Sequence, residues 1–237
     1  MRTKARERDK GVKRHKGVKT KLRRDVKTRF TRRLLAWWAR AARDLPWRKT
    51  RDPYRVLVSE FMLQQTQVSR VAEYYPRFLE RFPDLETLAN AKPRAVREQW
   101  DGLGYYARAS NLHALARVVS RDHGGTLPDT PDDLIKLPGI GPYTAGAVAT
   151  FAYEKPVPAV DTNVNRVLRR AFGNAERGMR NAELWRLASM LVPKNGKRAW
   201  KFNQAVMELG ALICVAKKPR CPECPVRPVC KTGTGKS

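Results

Sequence analysis

Glu60 and Asp161 are two acids whose surroundings could set them to different tasks. Tyr54 to about Gln67 reads as a helix, because Val56, Leu57 and Leu63 recur at helical spacing. Glu60 lies three or four positions from each of them and projects from the same face. A carboxylate on an apolar face is costly to ionise, and burial raises its pKa. That keeps a general acid protonated near neutral pH. The plainer alternative is a Glu at the edge of the stripe, paired with an Arg. Asp161 precedes Val164, Val167 and Leu168, which announce another helix. An N-cap role fits it, and the donors and dipole of a helix start favour the anion. One acid held neutral and one held charged is an arrangement that cleaves glycosidic bonds through an oxocarbenium-like transition state.

Between them runs Leu137-Pro138-Gly139-Ile140-Gly141-Pro142-Tyr143-Thr144-Ala145-Gly146. Thr130 can cap a short helix that Pro131 opens and Pro138 ends at Leu137. Gly139 and Gly141 permit a tight turn and a close approach by another backbone. Pro142 opens a second helix, whose free N–H groups point toward any anion. The spacing predicts a helical hairpin that holds a phosphate. A structural hairpin with no ligand has the same glycines.

Cys214, Cys221, Cys224 and Cys230 form a C-x6-C-x2-C-x5-C run. Four thiolates so close can wrap one metal centre, and zinc and an iron–sulfur cluster both accept four Cys. A disulfide framework is the alternative, disfavoured in a reducing compartment. The formal net charge is +27, from 49 Lys and Arg against 22 Asp and Glu, which calls for a polyanion partner. Residues 1–33 alone hold 16 Lys and Arg against Glu7, Asp9 and Asp25, and read as a basic tail that follows phosphates. No apolar run reaches the length of a membrane span, and no signal-peptide core follows the basic start. An intracellular, cytoplasmic protein is expected, associated with the nucleoid.

The remaining elements are helical. Residues 34–43 look like a first packed helix, and 68–82, 93–100 and 107–122 like further ones, with Pro83 as a break. Gln64-Gln65-Thr66-Gln67 is a polar, uncharged cluster that could bond to bases or simply end a helix. Asp101-Gly102-Leu103-Gly104-Tyr105-Tyr106 is a glycine turn, from which Leu103 or Tyr105 could wedge into a base stack. Few strand runs stand out, so the class is all-α.

The hairpin, an Asp downstream of it and the four-Cys terminus together resemble the helix-hairpin-helix DNA glycosylases that carry an iron–sulfur cluster. The resemblance covers about residues 34–231. It implies two helical domains flanking a DNA-binding cleft: a six-helix domain at about 44–154, and a cluster domain made of 25–43 and 155–231. Residues 1–24 would be a disordered basic tail. Ser59-Glu60-Phe61-Met62-Leu63-Gln64-Gln65-Thr66-Gln67-Val68, Gly102–Arg108 and Asp161-x-Asn163-Val164 are similar to the adenine DNA glycosylase (MutY) branch. By that resemblance Glu60 protonates the adenine ring and later handles water, and Asp161 stabilises or transiently bonds the sugar. Tyr143 and Asn163 support them. Gln64, Gln65, Leu103 and Tyr105 contact the duplex at the lesion. Gly139, Gly141 and Thr144 bind a phosphate, and the four Cys hold a [4Fe–4S] cluster, with zinc as the alternative.

Tyr143 stands where strand-nicking relatives such as endonuclease III carry the Lys that forms a Schiff base. A monofunctional enzyme is therefore expected, a monomer acting on double-stranded DNA with a mispaired base. Adenine opposite 8-oxoguanine or guanine is the expected target. Typical adenine glycosylases continue into an 8-oxoguanine-recognition domain, whereas this chain stops seven residues after Cys230 and is expected to lack it. Position 162 is Thr where that branch usually has Gly. Compact thymine or uracil mismatch glycosylases of the same family are the second expectation. A DNA-binding module without catalysis is the third.

Overall fold

The structure, a computed structural model, describes residues 23–173 and 178–235. Residues 1–22, most of the basic tail, lie outside it. The described residues form twelve α-helices and no strand. These are α1 (Arg24–Ala41), α2 (Pro53–Leu63), α3 (Val68–Arg81), α4 (Leu85–Asn90), α5 (Pro93–Gln99) and α6 (Ala107–Asp122). Then come α7 (Pro131–Leu134), α8 (Pro142–Phe151), α9 (Thr162–Phe172), α10 (Asn181–Leu191), α11 (Gly196–Leu212) and α12 (Lys231–Thr234). No helix among the described residues is long and apolar enough to cross a membrane.

Two hydrophobic cores organise the helices. The first gathers Val56, Leu57, Phe61, Phe78, Trp100, Leu112, Leu115 and Val148, from α2 through α8. The second gathers Phe30, Leu34, Val167, Leu168, Leu187, Leu191, Phe202 and Leu209, from α1 and α9 to α11. Trp38 and Met207 pack against both. Their ridge joins α1 and α11 to the first core.

Local chemistry sets the helix starts. Asp52, Asp84, Thr130, Asp161 and Asn195 each accept a backbone N–H from the first turn that follows. Three details depart from the sequence pattern. First, α1 begins at Arg24, ten residues before the apolar run, because Phe30 and Thr31 are already buried. Second, α2 is buried nearly all round, from Val56 to Met62, rather than along one stripe. Third, α7 ends at Leu134, and Ile135 to Leu137 continue as turns. The short α4 has no sequence signal beyond the Asp84 cap and Leu85 and Leu88, both of which it buries.

Candidate active site and nucleic-acid interface

A cavity of about 620 Å3, within the size range of small-molecule sites, is lined by residues of both cores. Leu45, Trp47 and Phe151 come from the first and Val160 from the second. Glu60, Tyr143, Asp161 and Asn163 all line it. Glu60 is 4% exposed, and the Tyr143 hydroxyl donates to its Oε2 at 2.7 Å. Burial pushes the Glu60 pKa up to about 7; the bond from Tyr143 opposes this and the charge of Asp161 adds to it. No Arg pairs with Glu60 among the described hydrogen bonds, so the edge-of-stripe alternative does not hold. Burial and the neighbouring carboxylates hold the Tyr143 pKa well above its ordinary value, so the phenol stays a donor.

Asp161 caps α9. Its Oδ1 accepts the Val164 N–H at 2.6 Å, and its Oδ2 accepts Asn163 Nδ2 at 2.8 Å. One expectation needs correcting here. The cap does not lower the Asp161 pKa: burial outweighs the N–H donors and raises it. The two acids still differ in kind. Asp161 accepts two N–H bonds and feels the Arg166 charge, whereas Glu60 has one hydroxyl. Two glycines fix this corner. A Cβ on Gly146 would meet Pro158 O at 2.2 Å, and one on Gly210 would meet Asn163 Cβ at 2.6 Å. Close passage of α8 and α11 thus presses the 158–163 segment into place.

The hairpin packs against α2, where Gly139 approaches Phe61 and Tyr143 bonds to Glu60. Gly139 has φ +75°, and a Cβ there would meet Asn111 Cβ at 2.7 Å, so the turn is packed against α6. Gly141 caps α8, and a Cβ there would meet nothing within 4 Å, so open space fronts the free N–H groups of α8. Thr144, in the first turn of α8, is 3% exposed. Gln64 and Gln65 line the cavity mouth. Leu103, expected as a candidate wedge, is 6% exposed and packed in the first core, so the turn does not present it. Tyr105, at 61% exposure, is the side chain that the turn presents.

The match to known proteins falls on these elements. A family model described as HhH-GPD superfamily base excision DNA repair protein matches residues 58–190. The chain belongs to this family. Over 195 residues it is 45% identical to an adenine DNA glycosylase of Mycobacterium tuberculosis (strain CDC 1551 / Oshkosh), covering 81% of this chain and 64% of that protein. Over 216 residues it is 44% identical to the adenine DNA glycosylase of Rattus norvegicus, covering 86% of this chain and 42% of that one. The chain thus spans about two-fifths to two-thirds of the length of these curated relatives. Among solved structures it is similar to a thermostable thymine-DNA glycosylase, with TM-score 0.83 and 33% identity, over 89% of this chain and 98% of that one.

In this HhH-GPD chain the cavity also holds residues that the sequence pattern does not single out. Glu208 on α11 is 1% exposed and accepts from Arg43 Nη2 and Arg48 Nη2, each at 2.8 Å. Burial alone would raise its pKa, but the bonds from Arg43 and Arg48 outweigh it and hold the carboxylate at about 2. Arg48 Nε reaches Gln204 Oε1 at 2.8 Å. Arg43, Arg48, Gln204 and Glu208 thus form one bonded network in the lining of the cavity that Glu60 and Asp161 also line. The signal was faint: a Glu within the apolar Val206–Leu209 run, an Arg at the end of the 34–43 helix and another five residues beyond it.

Cys214, Cys221, Cys224 and Cys230 line one pocket, with Arg170, Ile213 and Gly233. Burial pushes the Cys224 thiol up to about 11, and the other three sulfurs add to the shift. Such a set favours a bound cation, which would release the protons. The Gly233 N–H donates to Cys230 Sγ at 3.3 Å, and Arg170 Nη1 to Cys214 Sγ at 3.5 Å. Among the described residues no three His, Cys, Asp or Glu are grouped as a single ion would require.

Proposed function

We propose that this chain is a monofunctional DNA glycosylase that flips a mispaired base, adenine opposite 8-oxoguanine or guanine, and hydrolyses its N-glycosidic bond. The observation that carries the reading is Glu60: a buried carboxyl with a pKa of about 7, beside Asp161, in a cavity between two cores. Glu60 gives its proton to a ring nitrogen of the base as the C–N bond breaks, and the bonding electrons leave with the base. The Asp161 carboxylate faces the cation that develops at the sugar, held there by Val164 N–H and Asn163. Water then attacks the sugar carbon and returns its proton to Glu60. Tyr143 keeps Glu60 oriented. The turn at Gly139 and Gly141 takes a phosphate on the start of α8, with Thr144 in its first turn, and Gln64, Gln65 and Tyr105 meet the duplex.

Adenine is favoured by the names of the relatives at 44–45% identity and by the Gln-Gln-Thr-Gln segment. Thymine opposite guanine is the second reading, favoured by the TM-score of 0.83 to the thymine-DNA glycosylase, nearly all of which this chain covers. The two cores support a division into domains at 44–154 and at 25–43 with 155–231. The four Cys line one pocket and suit a [4Fe–4S] cluster, with zinc as the alternative; zinc ribbons more often use two C-x2-C pairs, and here there is one. Bound there, the cluster would tie Cys214, just past the end of α11, to the 221–230 loop, beside Arg170 of α9. A monomer on double-stranded DNA, inside the cell with the nucleoid, is part of the same reading.

Tyr143 makes a Schiff base impossible at that position. Borohydride added during turnover should therefore trap no covalent protein–DNA adduct. A trapped adduct on denaturing gels would contradict the monofunctional reading.

A further inference from the structure

Arg108, in the first turn of α6, is 7% exposed, yet its bonds run to uncharged oxygens. Nη1 donates to the carbonyls of Phe61 at 3.0 Å, Met62 at 2.8 Å and Gln64 at 2.5 Å. Nη2 donates to the carbonyls of Leu103 at 3.1 Å and Gly104 at 3.0 Å, and to Thr66 Oγ1 at 3.0 Å. The first group lies at the C-terminus of α2, where carbonyls lose their helical partners and the dipole is negative. The second group includes the 102–105 turn. One planar guanidinium thus ties the end of the helix carrying Glu60 to the turn carrying Tyr105.

Both tied turns are strained in the same way. Gln65 has φ 57° and Tyr105 φ 49°, in the left-handed region that non-glycine residues seldom adopt. Both side chains are exposed. Such conformations persist where the surroundings over-determine them. Around Tyr105 they do: Arg70 also holds Gly102 O at 3.2 Å, and Trp100 Nε1 holds Gly104 O at 3.3 Å. A buried cation is an expensive clamp for a fold that apolar packing could complete. What apolar packing could not do is fix five carbonyls and a hydroxyl from two separate turns at once.

We infer that Arg108 is a positioning residue that locks Gln65 and Tyr105 into one preorganised pair of probes, set to enter the duplex as the base leaves it. This rests on the glycosylase reading above. Its effect falls on extrusion, not on the bond-breaking step. The test uses the full chain, wild type and Arg108→Lys, and two DNAs: a mismatched duplex, and one in which the target adenine is an unpaired bulge. Lys keeps the charge but cannot span both turns. Arg108→Lys should lose about 100-fold in single-turnover base release from the mismatch, the scale of a small misplacement. From the bulge, where extrusion is already largely done, it should lose less than about threefold.

Thr66→Val, which removes one bond to Arg108, should show a smaller loss with the same split between substrates. It decides the matter if Arg108→Lys fails to melt cooperatively. Equal losses on both DNAs, or no loss on the mismatch, would overturn the inference alone. No release by the wild-type chain from either DNA would overturn the glycosylase reading, and the inference with it.

Discussion

Replacing Glu60 by Gln should slow base release by about three to four orders of magnitude, the upper range for a general acid. Gln fills the same space and can still accept from Tyr143, but it has no proton to give. Duplex affinity should stay within about threefold, because the phosphate and groove contacts that dominate it lie elsewhere. The measurement is single-turnover release beside a binding titration at the same salt. A Glu60→Gln chain that turns over at the wild-type rate would remove Glu60 from the mechanism.

The wild-type pH profile follows from the same group. With a pKa of about 7, Glu60 is protonated below neutrality, so release in the free enzyme should fall as pH rises through about 7. In Glu60→Gln that alkaline limb should vanish from any residual rate. Stability has a matching sign. The folded pKa lies above the ordinary 4.5, so the stability Glu60 contributes is fully present below 4.5 and is lost as pH rises through about 7. Glu60→Gln should therefore be at least as stable as wild type at pH 8, as read by urea unfolding.

Asp161→Asn should cost about 100-fold or more in the same assay, the scale of losing one preorganised charge partner. Asn is as good an N-cap as Asp, so α9 should keep its start and the melting temperature should move little. The loss then reports the missing anion opposite the sugar. A loss below about threefold would mean that Asp161 serves only as a cap. Because burial raises its pKa, the acidic limb that Asp161 sets should lie above the ordinary Asp value.

Much of this was readable before any coordinates. The hairpin glycines, the cap at Asp161 and the spacing of the four Cys are local signals, governed by turn chemistry and short-range geometry. Glu60 stood out as an acid among apolar residues, but the spacing left an edge-of-stripe Glu open, and its burial shows only in the fold. What stayed hidden depends on contacts far apart in the chain. Arg43, Arg48 and Glu208 meet across about 160 residues, and each alone looks like a surface charge. Leu103 and Tyr105 are equivalent in the sequence, and only packing shows that one is core and the other exposed. The raised pKa of Asp161 likewise needed its burial, which a cap motif does not report.

The most direct measurement is single-turnover base release on four duplexes: adenine opposite 8-oxoguanine, adenine opposite guanine, thymine opposite guanine and uracil opposite guanine. Each is run with and without alkali. The predicted result is release of adenine, with strand breaks only after alkali. Release of thymine or uracil but not adenine would contradict the assigned substrate. No release from any duplex, with tight binding retained, would contradict catalysis itself.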